Sequence, residues 1–137
     1  MAHTLKLEIV TPEAKIYSEQ VEMVTLPGVE GEMGIYPQHV PLMTQIVSGE
    51  VAVRKEGQDY FLAVGDGFAE ITADHVAILT DMAIKAEDID EARAEEARKR
   101  AEVRLHEKLS DEETAAVTAA LAHSLAELNV AKRRRRR

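Results

Sequence analysis

The composition of this 137-residue chain changes near residue 85, and the change restricts which folds the chain can adopt. All five aromatic residues, all four prolines and all seven glycines lie before position 69, whereas twelve alanines lie between positions 86 and 131. Glycine and proline mark turns between short segments, and alanine is the strongest helix former. We therefore predict a β-rich unit over residues 1–85 and a helical unit over residues 86–137. The length excludes a large multidomain enzyme.

Seven short segments rich in β-branched residues occupy the first unit, with turn residues between them. Apolar and polar residues alternate in Leu5–Val10 and Val51–Lys55, as they do in strands buried on one face. Strands spaced by about ten residues favour an antiparallel sandwich or barrel over βαβ units. We predict a surface loop at Gly28–Gly34 and a hairpin turn at Gly65–Gly67. The seven segments are Leu5–Val10, Val21–Leu26, Leu42–Val47, Val51–Lys55, Tyr60–Val64, Phe68–Thr72 and Val76–Thr80.

After residue 85 the apolar residues recur with the period of a helix. Asp88 with Glu91, and Ser110 with Glu113, form capping boxes that predict two helix starts. The predicted fold class is therefore α+β, an N-terminal antiparallel β-sandwich followed by a C-terminal two-helix antiparallel hairpin. Because the helix contact faces are largely alanine, we expect the hairpin to be held only marginally. The stripes are Ala94, Ala97, Ala101 and Leu105 in the first helix and Val117, Leu121, Leu125 and Leu128 in the second.

The net charge of −8 combines two opposed parts of the chain. The last six residues, Lys132–Arg137, are all basic, while residues 1–131 hold 11 basic against 25 acidic residues, a formal charge of −14. Residues 1–131 are therefore expected to repel phosphate groups, which argues against nucleic acid as a partner. A block of like charge is by itself expected to be unstructured. The tail is either a solubilising extension that favours the helix dipole or a cationic segment for an acidic or phosphate-bearing partner.

Residues that would indicate an enzyme are lacking in the sequence. There is no cysteine, and the five histidines show no metal-ligand spacing. The glycines of Gly28–Gly34 match neither a dinucleotide-binding fingerprint nor a phosphate loop. No serine lies in a nucleophile motif, no targeting segment is recognisable, and no apolar run is long enough for a membrane span. We predict no catalytic residue, no metal site and no required cofactor.

Residues 26–42 carry the strongest motif, LPGVEGEMGIYPQHVPL. This stretch closely resembles the E-G-E-x-G-I-x-P-x-H-x-P-L block of the epsilon subunits of bacterial F-type ATP synthases. Further matches follow in order at Val64–Glu70, Val76–Asp81 and Ile89–Glu95, so the resemblance covers nearly the whole chain. It implies the same sandwich-and-hairpin fold. It also implies a non-catalytic, peripheral subunit at the cytoplasmic face of the bacterial plasma membrane, attached to the membrane only through its complex.

The resemblance implies that the sandwich docks on the gamma subunit and on the membrane-embedded c-ring and rotates with them. Acidic, aromatic and apolar side chains of the motif suit such a contact. His39 has an alternative interpretation as a histidine that only satisfies hydrogen bonds within a turn. The residues that we expect to contact the c-ring or gamma are Thr11, Glu30, Glu32, Met33, Tyr36 and His39.

The resemblance further implies that the helical hairpin is a regulatory arm. It leaves the motor free when folded and blocks ATP hydrolysis when extended toward the alpha and beta subunits. The second helix has no Lys or Arg between Ala115 and Val130, so we assign the electrostatic part of inhibition to the tail. The tail residues are Lys132, Arg133, Arg134, Arg135, Arg136 and Arg137. The alternative function is a stand-alone acidic adaptor with an anion- or membrane-binding tail.

One more motif resembles a nucleotide site of some family members. Ile89, Asp90, Arg93 and Ala94 match its I/L-D-x-x-R-A pattern, in which an arginine is available to a phosphate. Members that bind ATP tend to have an acidic residue shortly upstream, where this chain has Ile84. The resemblance therefore implies at most a weak regulatory ATP site. Alternatively, Asp90 and Arg93 only tie the helix to the sandwich.

Overall fold

A computed structural model describes residues 3–135 of the chain. Ten strands are followed by a short 3₁₀ helix at Ala86–Asp88 and two α-helices, α1 (Glu91–Arg104) and α2 (Asp111–Arg135). None of the described helices is long and apolar enough to cross a membrane. The strands are β1 (Leu5–Val10), β2 (Lys15–Val21), β3 (Met23–Gly28), β4 (Gly31–Ile35), β5 (Leu42–Ile46), β6 (Gly49–Lys55), β7 (Gln58–Val64), β8 (Gly67–Ile71), β9 (His75–Thr80) and β10 (Ala83–Lys85).

The strands form one sheet in the order β10-β7-β6-β3-β5-β8-β9-β1-β2, with β4 paired to β3 as a branch. Among the described strands every pair is antiparallel except β1 with β9. The sheet folds back on itself, because β2 at one end reaches β6. There Lys55 pairs with Glu19, and the Glu22 amide donates to the Arg54 carbonyl at 2.8 Å. The predicted sandwich followed by two helices is thus confirmed.

Alternation along the strands builds the sandwich core. Leu5, Leu7 and Ile9 of β1 point inward and are buried, while the residues between them lie partly at the surface. The same alternation buries Val51 and Val53 of β6. Burial of these β-branched and leucine side chains is the main stabilising contribution to the sandwich.

The seven predicted segments all contain strands, but two turn predictions were wrong. Gly28–Gly34 is largely a β-hairpin of β3 and β4, not a surface loop. Gly65–Gly67 is not a hairpin turn, because β8 pairs with β5 and β9 rather than with β7. Gly67 is needed there for close approach, since a Cβ at this position would lie 1.9 Å from the Leu79 carbonyl oxygen.

The second predicted helix start is confirmed, whereas the first lies two residues further on. Ser110 and Glu113 exchange the two hydrogen bonds of a capping box, each 3.1 Å long. Asp88 lies in the 3₁₀ helix, and the side chain of Asp90 caps α1 by accepting from the Arg93 amide. The helix-stripe prediction was wrong at Leu105 and Leu125, which are 37% and 43% exposed.

Candidate regulatory interface

The two helices, which we call the arm, rest on the sandwich through α2. This helix packs against β6, β7 and the 3₁₀ helix, and α1 packs against α2. Ala126 and Val130 of α2 are buried against Ala63 and Ala86, and we call these four residues the small-residue cluster. Larger, partly buried side chains pack around it, namely Phe61, Met82, Ile84 and Ile89. The small-residue cluster is separate from the sandwich core. The arm can therefore lose this contact while the main core of the sandwich stays intact.

Polar contacts join the middle of α2 to the sandwich. His123 Nε2 lies 3.3 Å from Asp81 Oδ1, in the turn after β9. Gly65 provides the space for this pair. A Cβ at Gly65 would lie 2.0 Å from Asp81 Oδ1 and 2.7 Å from His123 Nε2. The sequence did not indicate a partner for His123, because Asp81 lies beside it only when α2 packs against the sandwich.

The end of α2 lies on the sandwich as well. The prediction of an unstructured tail was wrong over the described residues, since α2 continues through Arg135. Arg133 Nε donates to Glu50 Oε2 at 2.8 Å, and its guanidinium lies 5.3 Å from the centre of the Phe61 ring. Arg134 Nη1 donates to the carbonyl of Ala86 at 3.1 Å. The tail residues Arg136 and Arg137 lie outside the described residues.

An open cavity of about 730 Å³ lies between the end of α2 and the sandwich. Its charged lining comes from both units, with Lys132 and Arg133 on one side and Glu32, Glu50 and Asp59 on the other. The structure therefore brings Glu32, a predicted rotor contact, next to the predicted inhibitory tail. Opposite charges face each other across this cavity, which favours the docked arm.

The other predicted rotor contacts lie in two regions of the sandwich, four of them on or next to the β3–β4 hairpin and Thr11 after β1. Glu30 is exposed at the turn between β3 and β4, and Met33 is half-buried on β4. Tyr36 is exposed just beyond β4, and His39 Nδ1 lies 2.6 Å from the Val40 carbonyl oxygen. Thr11 follows β1 and is buried, with its backbone amide donating to the Ala14 carbonyl at 2.9 Å.

An apolar face that we did not predict from the sequence lies on the outside of β5, β8, β9 and β1. Phe68 and Leu79 are opposite each other in the sheet and are each 55% exposed. Val10 continues this row, and Met43, which is 66% exposed, lies on the neighbouring strand β5. A shallow groove of about 460 Å³ beside Leu79 is lined by Thr11. The sequence signal for this face was the presence of apolar residues at strand positions whose side chains point outward in the alternating pattern.

The residues of the predicted nucleotide motif have different surroundings in the structure. Asp90 caps α1, Ala94 is buried, and Ile89 packs against the small-residue cluster. Arg93 is exposed and near enough to Glu127 of α2 for its charge to lower the pKa of that carboxyl. A triphosphate beside Arg93 would meet the charge of Glu127, and α2 offers no cation before Lys132.

Burial raises the pKa of Glu127, and the nearby charges of His123 and Arg93 offset the effect only partly. A carboxyl whose pKa is higher in the folded state opposes folding at neutral pH, and this cost disappears as the pH falls through that pKa.

Among the described residues no group of three His, Cys, Asp or Glu side chains could hold a metal ion.

We expect Glu127→Gln to raise the midpoint of thermal unfolding at pH 7, because it removes a charge that is partly desolvated in the docked arm. The gain should shrink at pH 4.5, because the raised pKa of Glu127 lets its carboxyl take up a proton as the pH falls. Unfolding followed by circular dichroism at both pH values checks this. Glu107→Gln, an exposed carboxylate between the helices, is the control. A lower midpoint for Glu127→Gln at pH 7 would contradict the assignment.

Both units of the chain, the sandwich and the arm, are similar to known proteins. Residues 4–86 match the family model described as ATP synthase, Delta/Epsilon chain, beta-sandwich domain, and residues 87–132 match the corresponding long alpha-helix domain. The chain is 43% identical to the ATP synthase epsilon chain of Laribacter hongkongensis, over 98% of this chain and 97% of the relative. It is 46% identical to that of Dehalococcoides mccartyi strain CBDB1, over 96% and 95%.

A solved structure has a similar fold. It is a chain of the mitochondrial ATP synthase of Euglena gracilis, from an assembly of OSCP, F1 and c-ring. The TM-score is 0.77 at 24% identity, over 93% of this chain and 81% of the other. At this identity the similarity shows the fold alone.

Proposed function

Because this chain belongs to the family of ATP synthase delta/epsilon chains, we propose that it couples rotation of the c-ring to the catalytic head and inhibits ATP hydrolysis with its arm. The observation that carries the proposal is an arm docked on the sandwich through an interface that is separate from the sandwich core. Such an arm can move while the sandwich stays attached to the rotor. The chain acts as a non-catalytic subunit.

The apolar face provides a surface for the gamma subunit. Phe68, Leu79 and Met43 are large side chains held on a rigid sheet, which is the usual composition of the centre of a protein interface. Thr11 borders the same face through the groove beside Leu79. Glu30 and Tyr36 lie in another region of the sandwich, and we assign them, with Glu32, Met33 and His39, to polar loops of the c-ring.

The arm has two positions in this proposal. In the observed position it lies on the sandwich, and we propose that hydrolysis is free in this position. Extended as one helix, residues 88–130 would span roughly 65 Å at 1.5 Å per residue, enough to reach the alpha and beta subunits. In that position the cations from Lys132 onward contact acidic partner surface and supply the electrostatic part of inhibition.

No cofactor is needed for this role, and we propose that ATP binds the chain weakly or not at all, since the charge of Glu127 is near enough to the motif arginine to interact with it. Location at the cytoplasmic face of the bacterial plasma membrane follows from attachment to the complex. The alternative, a free adaptor with a membrane-binding tail, is less well supported because Arg133 and Arg134 already contact the sandwich.

Co-purification tests the proposed docking. A tagged chain expressed in its own cells should retain the gamma subunit and the c-ring, and Phe68→Asp should reduce the retained gamma at least about tenfold, because it places a charge in the centre of an apolar interface. Tyr60→Asp is the matched control, since Tyr60 is an aromatic residue 44% exposed on β7, outside this face. Equal retention by both variants would contradict the assignment of the apolar face.

A further inference from the structure

The contacts at the end of α2 join parts of the chain that are far apart in sequence. Arg133 and Glu50 are 83 residues apart, and Arg134 and Ala86 are 48 residues apart. One partner belongs to the arm, and the other belongs to the sandwich or to the 3₁₀ helix at its edge. These contacts can therefore exist only while the arm is docked.

We infer that Arg133 and Arg134 form a latch that holds the arm on the sandwich, with Glu50, Phe61 and the Ala86 carbonyl as its seat. The latch uses three kinds of contact. Arg133 makes an ion pair and a cation–π contact, and Arg134 donates a hydrogen bond to a main-chain oxygen. Both residues follow Val130 and Ala131, which are fully and almost fully buried, so the latch closes directly beyond the apolar contact.

The latch stabilises a docked position in which α2 contributes few buried apolar side chains to the small-residue cluster. Val130 and Ala126 are the buried apolar side chains of α2 in the small-residue cluster, and both are small. The charged head of Arg133 is half exposed, so its ion pair contributes little alone. Together the ion pair and the cation–π contact correspond to about a 3- to 30-fold change in the docking equilibrium. A factor of this size changes the population of the docked arm where the docked and open positions are closely balanced.

The latch gives the tail a second role, opposite in sign to the inhibitory one. The cations that would contact an acidic partner in the extended arm are engaged with Glu50 in the folded arm. Acidic partner surface and Glu50 then compete for Arg133. The regulatory consequence rests on the proposed function, whereas the latch itself is a property of the isolated chain.

The latch can be tested on the full chain without partners. The sequence has no cysteine, so Ala126→Cys introduces a single thiol that is buried only while the arm is docked. Its rate of reaction with an excess of a small thiol reagent reports how often the arm opens. Glu50→Gln alters the seat without changing the arm. Glu13→Gln is the matched control, because Glu13 is an exposed carboxylate in the turn after β1.

We expect Arg133→Gln, which removes both the ion pair and the cation–π contact, to raise the labelling rate about 3- to 30-fold. Glu50→Gln removes only the ion pair and should raise the rate about 1.5- to 5-fold, and the double variant should add little to Arg133→Gln. Glu13→Gln should label like the parent. The latch is overturned if Glu50→Gln labels like Glu13→Gln, or if the effects of the two latch variants multiply in the double variant. A separate assay of ATP hydrolysis in the assembled complex isolates the regulatory part. Faster labelling with unchanged inhibition would keep the latch and contradict the proposed function.

Discussion

Replacing Val130 with aspartate is expected to release the arm while the sandwich stays folded. Val130 is fully buried against Ala63, Ala86 and Ala126. Its loss removes roughly 1.5–3 kcal/mol of apolar burial. An unpaired carboxylate in the same place costs about 1–3 kcal/mol more. The sum exceeds the latch contribution, so this variant should weaken docking more than loss of the latch does.

The Ala126→Cys thiol provides the measurement, and its labelling rate should rise at least about 100-fold in Val130→Asp. Leu125→Asp is the control, because Leu125 lies on the same helix but is exposed. The sandwich should keep its own cooperative unfolding transition, since its core forms a separate cluster. If Val130→Asp labels no faster than Leu125→Asp, the small-residue cluster is not what docks the arm.

Local patterns predicted much of the fold because local chemistry dictates it. The alternation in Leu5–Val10 and the capping box of Ser110 and Glu113 each require only neighbouring residues, and both predictions were confirmed. Strand β2 was missed because Ser18, Glu19 and Gln20 are consecutive exposed polar residues near its end. Their partner strand β1 keeps them in the sheet, and a local pattern does not show such pairing.

The arm interface depends on contacts that are distant in sequence. The tail was expected to be unstructured because six adjacent cations repel one another. Docking changes this balance, since Glu50 and the Phe61 ring stabilise Arg133 across the interface. Likewise Leu125 completes an ideal helical stripe, yet α2 meets the sandwich through Ala126 and Val130 instead. Which face of α2 is buried is decided by the shape of the sandwich, and the periodicity of the helix does not contain that information.

The predicted site residues separate into groups for the same reason. Glu32 lies on the cavity that the tail residues Lys132 and Arg133 also line, whereas Thr11 borders the apolar face near Leu79. The motif of residues 26–42 marks one region of the sandwich. The apolar face was hidden because its members, Met43, Phe68 and Leu79, are far apart in sequence and become neighbours only through the sheet order.

The central claim is that the docked arm is the state that permits ATP hydrolysis, and a reversible lock tests it most directly. His123 and Asp81 face each other across the interface, so cysteines at both positions can be joined by a short, reducible crosslinker in a chain that has no other thiol. The crosslinked chain is then assembled with a catalytic head and gamma subunit that lack it. We expect full hydrolysis while the arm is locked, and at least about fivefold inhibition after reduction, because only the released arm can extend. The same rate of hydrolysis before and after reduction would contradict the account.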